Sequence, residues 1–284
     1  MRLATRGSAL ALAQARHVAG LLGGDVEIVT ITTQGDRRPA VRDKREWVSA
    51  LEEALLRGEA DLAVHSAKDV PVQVADGCAL VGAPARADPR DALCGASSLD
   101  SLAQGARVGT SSLRREAGLR ALRPDLDVLE LRGNVDTRLR KLAEGGYDAI
   151  VLALAGLQRL GRADEAGGVL DELVPAAGQG VLALEARADD EDARAAAQRV
   201  TDDEALACLR CERALVAALE ADCRTPVGAW AARDDGGLRL RAFVGRPDGS
   251  AWVRDELSGR EPEALGAEVG RRLLSAGAAE VLDR

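Results

Sequence analysis

The stretch Leu62-Ala63-Val64-His65-Ser66-Ala67-Lys68-Asp69-Val70-Pro71 passes in one step from an apolar run to a cluster of titratable and hydroxyl groups. Leu62, Ala63 and Val64 suit a buried strand, and Pro71, which cannot donate to a ladder, bounds the element. His65 to Asp69 are therefore expected where a strand ends, and in open α/β sheets that is where ligands bind. A surface loop with Lys68 paired to Asp69 is the plainer alternative, and the rest of the chain decides between the two.

Upstream, Arg2 to Thr5 reads as a short strand running into Arg6-Gly7-Ser8, after which Leu10, Ala13, Gln14, His17, Val18 and Leu21 recur at helical spacing with Ser8 as N-cap. A strand end meeting a helix start presents unpaired backbone N–H groups, and Arg6 beside them makes an anion seat. His17 reads as a helix-surface residue. Val26 to Thr33 is strand-like. Arg37 to Glu46 is a charged run without apolar period, expected as a mobile loop, and Trp47, Val48, Leu51, Ala54 and Leu55 form a helical stripe stopped by Gly58. Strands alternating with helices imply a parallel or mixed sheet with helices on its faces.

Downstream, the pattern restarts after Asp88-Pro89-Arg90-Asp91. Arg107 to Thr110 reads as a strand, Ser111-Ser112-Leu113-Arg114-Arg115 as a helix start, Val128 to Leu131 as a strand, and Asn134 as the cap of a helix with Arg132 and Arg138 near its start. Tyr147 to Ala155 is expected as one apolar strand leading to Arg159. Gly178-Gln179-Gly180 bends the chain into Val181 to Ala186, a strand crossing back to the first lobe, so two crossings would form a hinge. Thr201 and Glu204 look like a capping box ahead of a helix, which ends near Asp222-Cys223-Arg224-Thr225-Pro226. Three strands and the helix Pro262 to Leu274 follow. The expected fold is α/β: two similar periplasmic-binding-protein-like lobes around a cleft, plus a small α+β C-terminal domain. The boundaries fall at 1–85 with 182–199, at 86–181, and at 200–284.

The chain has 284 residues and a net charge of -8, which argues against a sequence-independent hold on nucleic acid. Arginines clustered in an acidic chain suit a compact anionic ligand, because guanidinium forks match carboxylates one by one. Five cysteines without framework spacing point to a reduced, cytoplasmic chain. No membrane span is expected. The region Arg2 to Ala13 imitates a signal peptide, but Gln14, Arg16 and His17 interrupt it, and it is read as mature sequence. Cys208 and Cys211, separated by two residues within a helix and lacking a second ligand pair, are read as structural, with no metal. Cys223 differs: it is a loop thiol beside Arg224, the setting of a lowered pKa and of nucleophilic character.

Ala4-Thr5-Arg6-Gly7-Ser8, His65-Ser66-Ala67-Lys68-Asp69-Val70-Pro71, Asp88-Pro89-Arg90-Asp91-Ala92, Gly109-Thr110-Ser111-Ser112-Leu113-Arg114-Arg115, Leu131-Arg132-Gly133-Asn134-Val135, Ala155-Gly156-Leu157 and Gly178-Gln179-Gly180 together resemble hydroxymethylbilane synthase, also called porphobilinogen deaminase, along nearly the whole chain. The resemblance implies a transferase of tetrapyrrole biosynthesis that condenses four porphobilinogen molecules head to tail, releases ammonia each time, and frees hydroxymethylbilane by hydrolysis. It implies a dipyrromethane cofactor held by a thioether to Cys223. By the same resemblance Asp69 is catalytic, and Lys68, Ser66, Thr110, Ser112, Arg114, Arg115, Arg132 and Lys44 serve the cofactor. Arg6, Ser8, Arg138 and Arg159 serve the substrate, in a monomer.

The chain departs from the family where a Gly-Lys-Gly-Leu-Phe segment is usual: it reads Asp43-Lys44-Arg45-Glu46-Trp47-Val48-Ser49, which keeps a cation and an aromatic but not the glycines. It also has Arg224 where Gln is common. A two-lobed binding protein for a small anion is the rival reading, and such a protein would have no use for a third unit with a loop cysteine.

Overall fold

The computed structural model describes residues 1–34, 45–222 and 225–282. In chain order the elements are β1 (Arg2–Arg6), α1 (Ala9–Leu22), β2 (Glu27–Ile31), α2 (Arg45–Leu56), β3 (Leu62–Ser66), a 3₁₀ turn at Ala67–Asp69, and β4 (Cys78–Gly82). Then come β5 (Asp91–Cys94), β6 (Arg107–Thr110), α3 (Leu113–Leu122), β7 (Asp127–Glu130), α4 (Val135–Ala143), β8 (Ala149–Ala153), α5 (Leu154–Arg159) and β9 (Gly168–Leu170). The last part holds β10 (Leu182–Arg187), α6 (Glu191–Arg199), α7 (Asp203–Ala218), β11 (Val227–Asp234), β12 (Gly237–Gly245), β13 (Trp252–Gly259), α8 (Pro262–Ser275) and α9 (Ala278–Val281).

The chain divides into two compact units, Met1–Ala87 with Gly180–Leu209 and Asp88–Gln179 with Arg210–Arg284. It thus passes from one unit to the other three times, the third time inside α7. The first unit holds a five-stranded sheet in the order β2-β1-β3-β10-β4, and the second holds one in the order β7-β6-β8-β5-β9. The two sheets have one topology. In each, the first three strands are parallel and the fourth, β10 or β5, is antiparallel to its neighbours. The expected pair of similar α/β lobes is present, and so is the small C-terminal α+β part, an antiparallel sheet β11-β12-β13 with α8 against it.

Both faces of the first sheet are covered, which is why β3 reads as a continuous apolar run rather than an alternating one. Leu3, Leu62, Val64, Leu182 and Leu184 pack on Ala15 and Val18 of α1 and Ala193 and Ala197 of α6. Ala4 and Ala63 face Leu51 and Leu55 of α2 on the other side. The second sheet is built alike, with Leu93, Val108, Val128 and Val151 under Leu119 of α3, and Ile150 and Leu152 against Leu139 of α4 and Leu157 of α5.

Within the second unit β11 docks on the segment before Gly178. Ala229 N donates to Pro175 O at 2.8 Å, and a Cβ on Gly228 would lie 2.6 Å from Val174 O, so only glycine permits this approach. Glu212 of α7, wholly buried, completes the joint by accepting the Gly178 N–H at 2.6 Å and the Ala231 N–H at 2.8 Å.

Two local expectations are corrected. The strand expected through Ala155 stops at Ala153, and α5 carries the chain on to Arg159. The cap of α7 is Asp202, whose Oδ1 accepts the Ala205 N–H at 2.8 Å, while Thr201 donates to Ala197 O and accepts from Ala83 N. A carboxylate is the better partner for a helix start, so Asp202 displaces the hydroxyl.

Candidate active site

In the first unit the carboxyl ends of β1 and β3 lie on one edge of the sheet, because the two strands are parallel neighbours. Arg6 closes β1, and its guanidinium stacks 3.9 Å from the centroid of the Trp47 ring in the first turn of α2. Stacking lays the guanidinium plane against the ring face. Ser8 caps α1 by accepting the Ala11 N–H at 3.2 Å. Ser66 closes β3 and accepts a bond from Gln14 Nε2 at 2.8 Å. The chain then enters the 3₁₀ turn, pinned by Ala67 N donating to Val181 O at 3.0 Å, and this leaves Lys68 and Asp69 half-buried at the strand's end.

Behind that turn His65 Nε2 lies 2.9 Å from Glu185 Oε2 on β10, both buried. Glu52 of α2 accepts the Ala75 N–H at 2.7 Å, and burial, aided by the charge of Glu185, pushes its carboxyl above the ordinary range. β3, which leads into the turn that carries Asp69, is joined to β10 by its ladder, with His65 and Glu185 side by side.

In the second unit the parallel strands β6, β7 and β8 end at Thr110, Glu130 and Ala153 on one edge. Thr110 is buried and accepts the Ser112 N–H at 3.1 Å, while Ser112 caps α3 by accepting the Arg115 N–H. Arg114 and Arg115 point inward. Arg114 Nη1 donates to Asp91 Oδ2 at 2.7 Å and to Val174 O at 2.8 Å. Arg115 donates to Asp91 Oδ1 from Nε and Nη2 and to Val151 O from Nη1. These two cations hold the Asp91 carboxyl far below the ordinary carboxylate range despite complete burial.

Three more arginines stand on the same edge. Arg132 pairs with Glu130 through Nε at 2.7 Å, a partly exposed contact of the kind that contributes little to stability. Arg138, in the first turn of α4, donates to Gly133 O at 2.7 Å and Ser111 Oγ at 3.2 Å. Desolvation, reinforced by Arg115, lowers its pKa to about 10. Desolvation likewise lowers Arg159, at the end of α5, to about 10. Cations disfavoured by their surroundings are completed by an anion, and this edge offers several.

Lys44, Cys223 and Arg224 lie outside the described residues, as does most of the run Arg37 to Glu46. The residues flanking Cys223 are described: Asp222 N donates to Thr225 Oγ1 at 2.9 Å and that hydroxyl donates back to Asp222 Oδ1 at 2.9 Å. Cys208 and Cys211 are buried free thiols on α7.

The chain as a whole is similar to known proteins. Residues 1–195 fit the family model described as porphobilinogen deaminase, dipyromethane cofactor binding domain, and residues 206–275 fit porphobilinogen deaminase, C-terminal domain. The chain belongs to the porphobilinogen deaminase family. The porphobilinogen deaminase of Sorangium cellulosum (strain So ce56) is 48% identical over 96% of this chain and 98% of its own length. That of Rubrobacter xylanophilus is 49% identical over 99% of this chain and 95% of its own. Among solved structures, a YaeC-family lipoprotein from Enterococcus faecalis V583 aligns with 72% of this chain and 92% of its own at 14% identity, with a TM-score of 0.44.

Within this porphobilinogen deaminase framework, sequence reasoning gave no role to Asp91, Gln179 or Glu212, all buried. Asp91 carried a signal: it is a charge opening the four-residue strand Asp91–Cys94, every residue of which is buried. Glu212 carried none, since an acidic residue in an amphipathic helix usually faces water. Trp47 was read as part of an apolar stripe and as the retained aromatic of the loop, and its partner Arg6 lies 41 positions away, beyond any local pattern.

Proposed function

We infer that this chain is a hydroxymethylbilane synthase, a transferase that joins four porphobilinogen molecules head to tail with loss of ammonia and releases hydroxymethylbilane for tetrapyrrole biosynthesis. The carrying observation is the match of both family domains over nearly the whole chain, the first of them the cofactor-binding domain. Its cofactor is dipyrromethane. No described helix is long and apolar enough to cross a membrane. A monomer working in the cytoplasm is part of the proposal, supported by four free buried thiols. The proposed functional division keeps 1–85 with 182–199, 86–181 and 200–284.

The residues fit such a group. A dipyrromethane carries several carboxylates, and the second unit offers a buried pair of guanidiniums sharing one carboxylate, with Arg114 Nε buried and without a hydrogen-bond partner among the described residues. When bound, the cofactor would supply the free pyrrole α-carbon to which the first porphobilinogen is attached. We assign its thioether to Cys223 and its carboxylates to Lys68, Lys44, Arg114 and Arg132, with the hydroxyls of Ser66, Thr110 and Ser112, while Arg115 serves the same group from behind, through its bonds to Asp91. Each charge-assisted bond of this kind contributes about 1.5 to 3 kcal/mol. Arg6, with Ser8 beside it, and Arg138 meet the carboxylates of incoming porphobilinogen, and Arg159 assists binding or chain movement.

Asp69 carries the acid-base work. Its carboxyl delivers a proton to the departing amine, and its carboxylate then stands beside the cationic carbon and pyrrole N–H groups of the substrate, assistance typically worth about 10² to 10⁴ in rate. The half-buried turn keeps it within reach of solvent protons while shielding it enough to act as a counter-ion. The test is turnover: purified protein given porphobilinogen should release ammonia and a linear tetrapyrrole in the ratio four to one. Binding of porphobilinogen without ammonia release would instead support the anion-binding reading.

A further inference from the structure

Arg114 and Arg115 look alike in the sequence but stand in different surroundings. Every guanidinium nitrogen of Arg115 has an acceptor inside the protein: Nε and Nη2 on Asp91 Oδ1 at 3.1 and 2.8 Å, and Nη1 on Val151 O at 3.0 Å. Arg114 makes both of its bonds from Nη1, and its Nε is buried without a partner among the described residues. The carboxylate between them, Asp91, is fully buried and accepts a fourth bond from Gln179 Nε2 at 2.8 Å. Two cations and one anion leave one positive charge in surroundings where Asp91 is 0% and the arginines 5% and 6% exposed. Such an excess is costly to desolvate unless a second anion joins it.

We propose that Asp91 is a positioning residue: with Arg115 as a saturated brace, it aims Arg114 at one carboxylate of the cofactor, and that carboxylate balances the buried charge. Arg115 then acts through Asp91 rather than by touching the ligand. Gln179 supports the arrangement, since Nε2 also donates to Pro89 O at 2.6 Å and so fixes the start of β5 on which Asp91 stands. The inference rests on the assignment of Arg114 to the cofactor and extends it to a residue whose chemistry never meets the substrate.

The test compares full-length Arg114→Gln, Asp91→Asn, Asp91→Glu and Asp91→Asn with Arg115→Gln. The readouts are the fraction of folded molecules carrying dipyrromethane, from denatured intact mass, and the thermal midpoint of the unloaded fraction. Arg114→Gln should lose at least nine-tenths of the loading. Its unloaded form should melt above unloaded Asp91→Asn, because it removes the excess charge instead of adding to it. Asp91→Asn should lose loading to the same degree, and Asp91→Glu should recover part of it, a rescue that a merely structural role does not require among folded molecules. If Asp91→Asn does not fold, the double variant has one cation fewer and should fold unloaded. Wild-type loading in Asp91→Asn or in the double variant, with Arg114→Gln unloaded, overturns the role of Asp91 alone. Wild-type loading in Arg114→Gln overturns the assignment beneath it as well.

Discussion

Asp69 and Asp91 are two aspartates of one chain placed in opposite surroundings. Asp69 ends a 3₁₀ turn and is half-buried, whereas Asp91 is sealed between two guanidiniums. Asp69→Asn keeps the shape and removes the acid. Porphobilinogen should still bind with modest change while single-turnover condensation slows by roughly two orders of magnitude or more, and activity within a few-fold of wild type would assign the charge to another group. For Asp91 the folded pKa lies below the unfolded value near 3.8, so its pairing stabilises the fold above that value and the contribution drains away as pH falls below it. Unfolding free energy measured from pH 7 down to pH 3 should fall on the acid side, and Asp91→Asn should show a shallower slope from a lower starting point. Removing one partner of such a buried group typically costs about 3 to 5 kcal/mol.

At the scale of elements, the start of α2 is joined to the end of β1 through the Arg6 and Trp47 stack. A stack of this kind contributes about 0.5 to 2 kcal/mol, enough to hold a guanidinium edge-on for a carboxylate. Trp47→Leu should therefore raise KM several-fold with kcat largely kept, and wild-type Trp47 fluorescence should change on adding porphobilinogen. An unchanged KM would mean that Arg6 needs no such support. Much of this arrangement was legible beforehand because it is local: the apolar run ending at His65, the caps Ser8, Ser112 and Asn134, and arginines placed just after strands or at helix starts are all patterns within ten residues. What escaped was non-local. The antiparallel insertion of β5 and β10 depends on which strands pair across the sheet. The Asp91 network joins residues 23, 24 and 88 positions apart. Thr201 was preferred over Asp202 as a cap because a hydroxyl followed three residues later by Glu fits a pattern, while the geometry selects the carboxylate. Cys223 stands out in the sequence as a loop thiol beside Arg224 and takes its cofactor role from the resemblance, as Lys44 does, and both lie outside the described residues.

For the whole molecule, one strand order occurs twice, and each copy places its candidate side chains toward the carboxyl ends of its parallel strands. The chain is acidic overall at -8, yet guanidiniums gather at the ends of β1, β6, β7 and β8. That contrast suits an enzyme handling polycarboxylated pyrroles, because the bulk acidity disfavours polyanions while the local cations receive carboxylates one at a time. The central claim is that the active chain carries a covalent dipyrromethane on one of its five cysteines, Cys223. It is tested most directly by denaturing the active protein, alkylating every accessible thiol and measuring the intact mass. The account requires four alkyl groups, on Cys78, Cys94, Cys208 and Cys211, which are free thiols in the fold, together with the added mass of two linked pyrroles. Five alkyl groups on a chain of otherwise unmodified mass, in protein that turns over porphobilinogen, would contradict it.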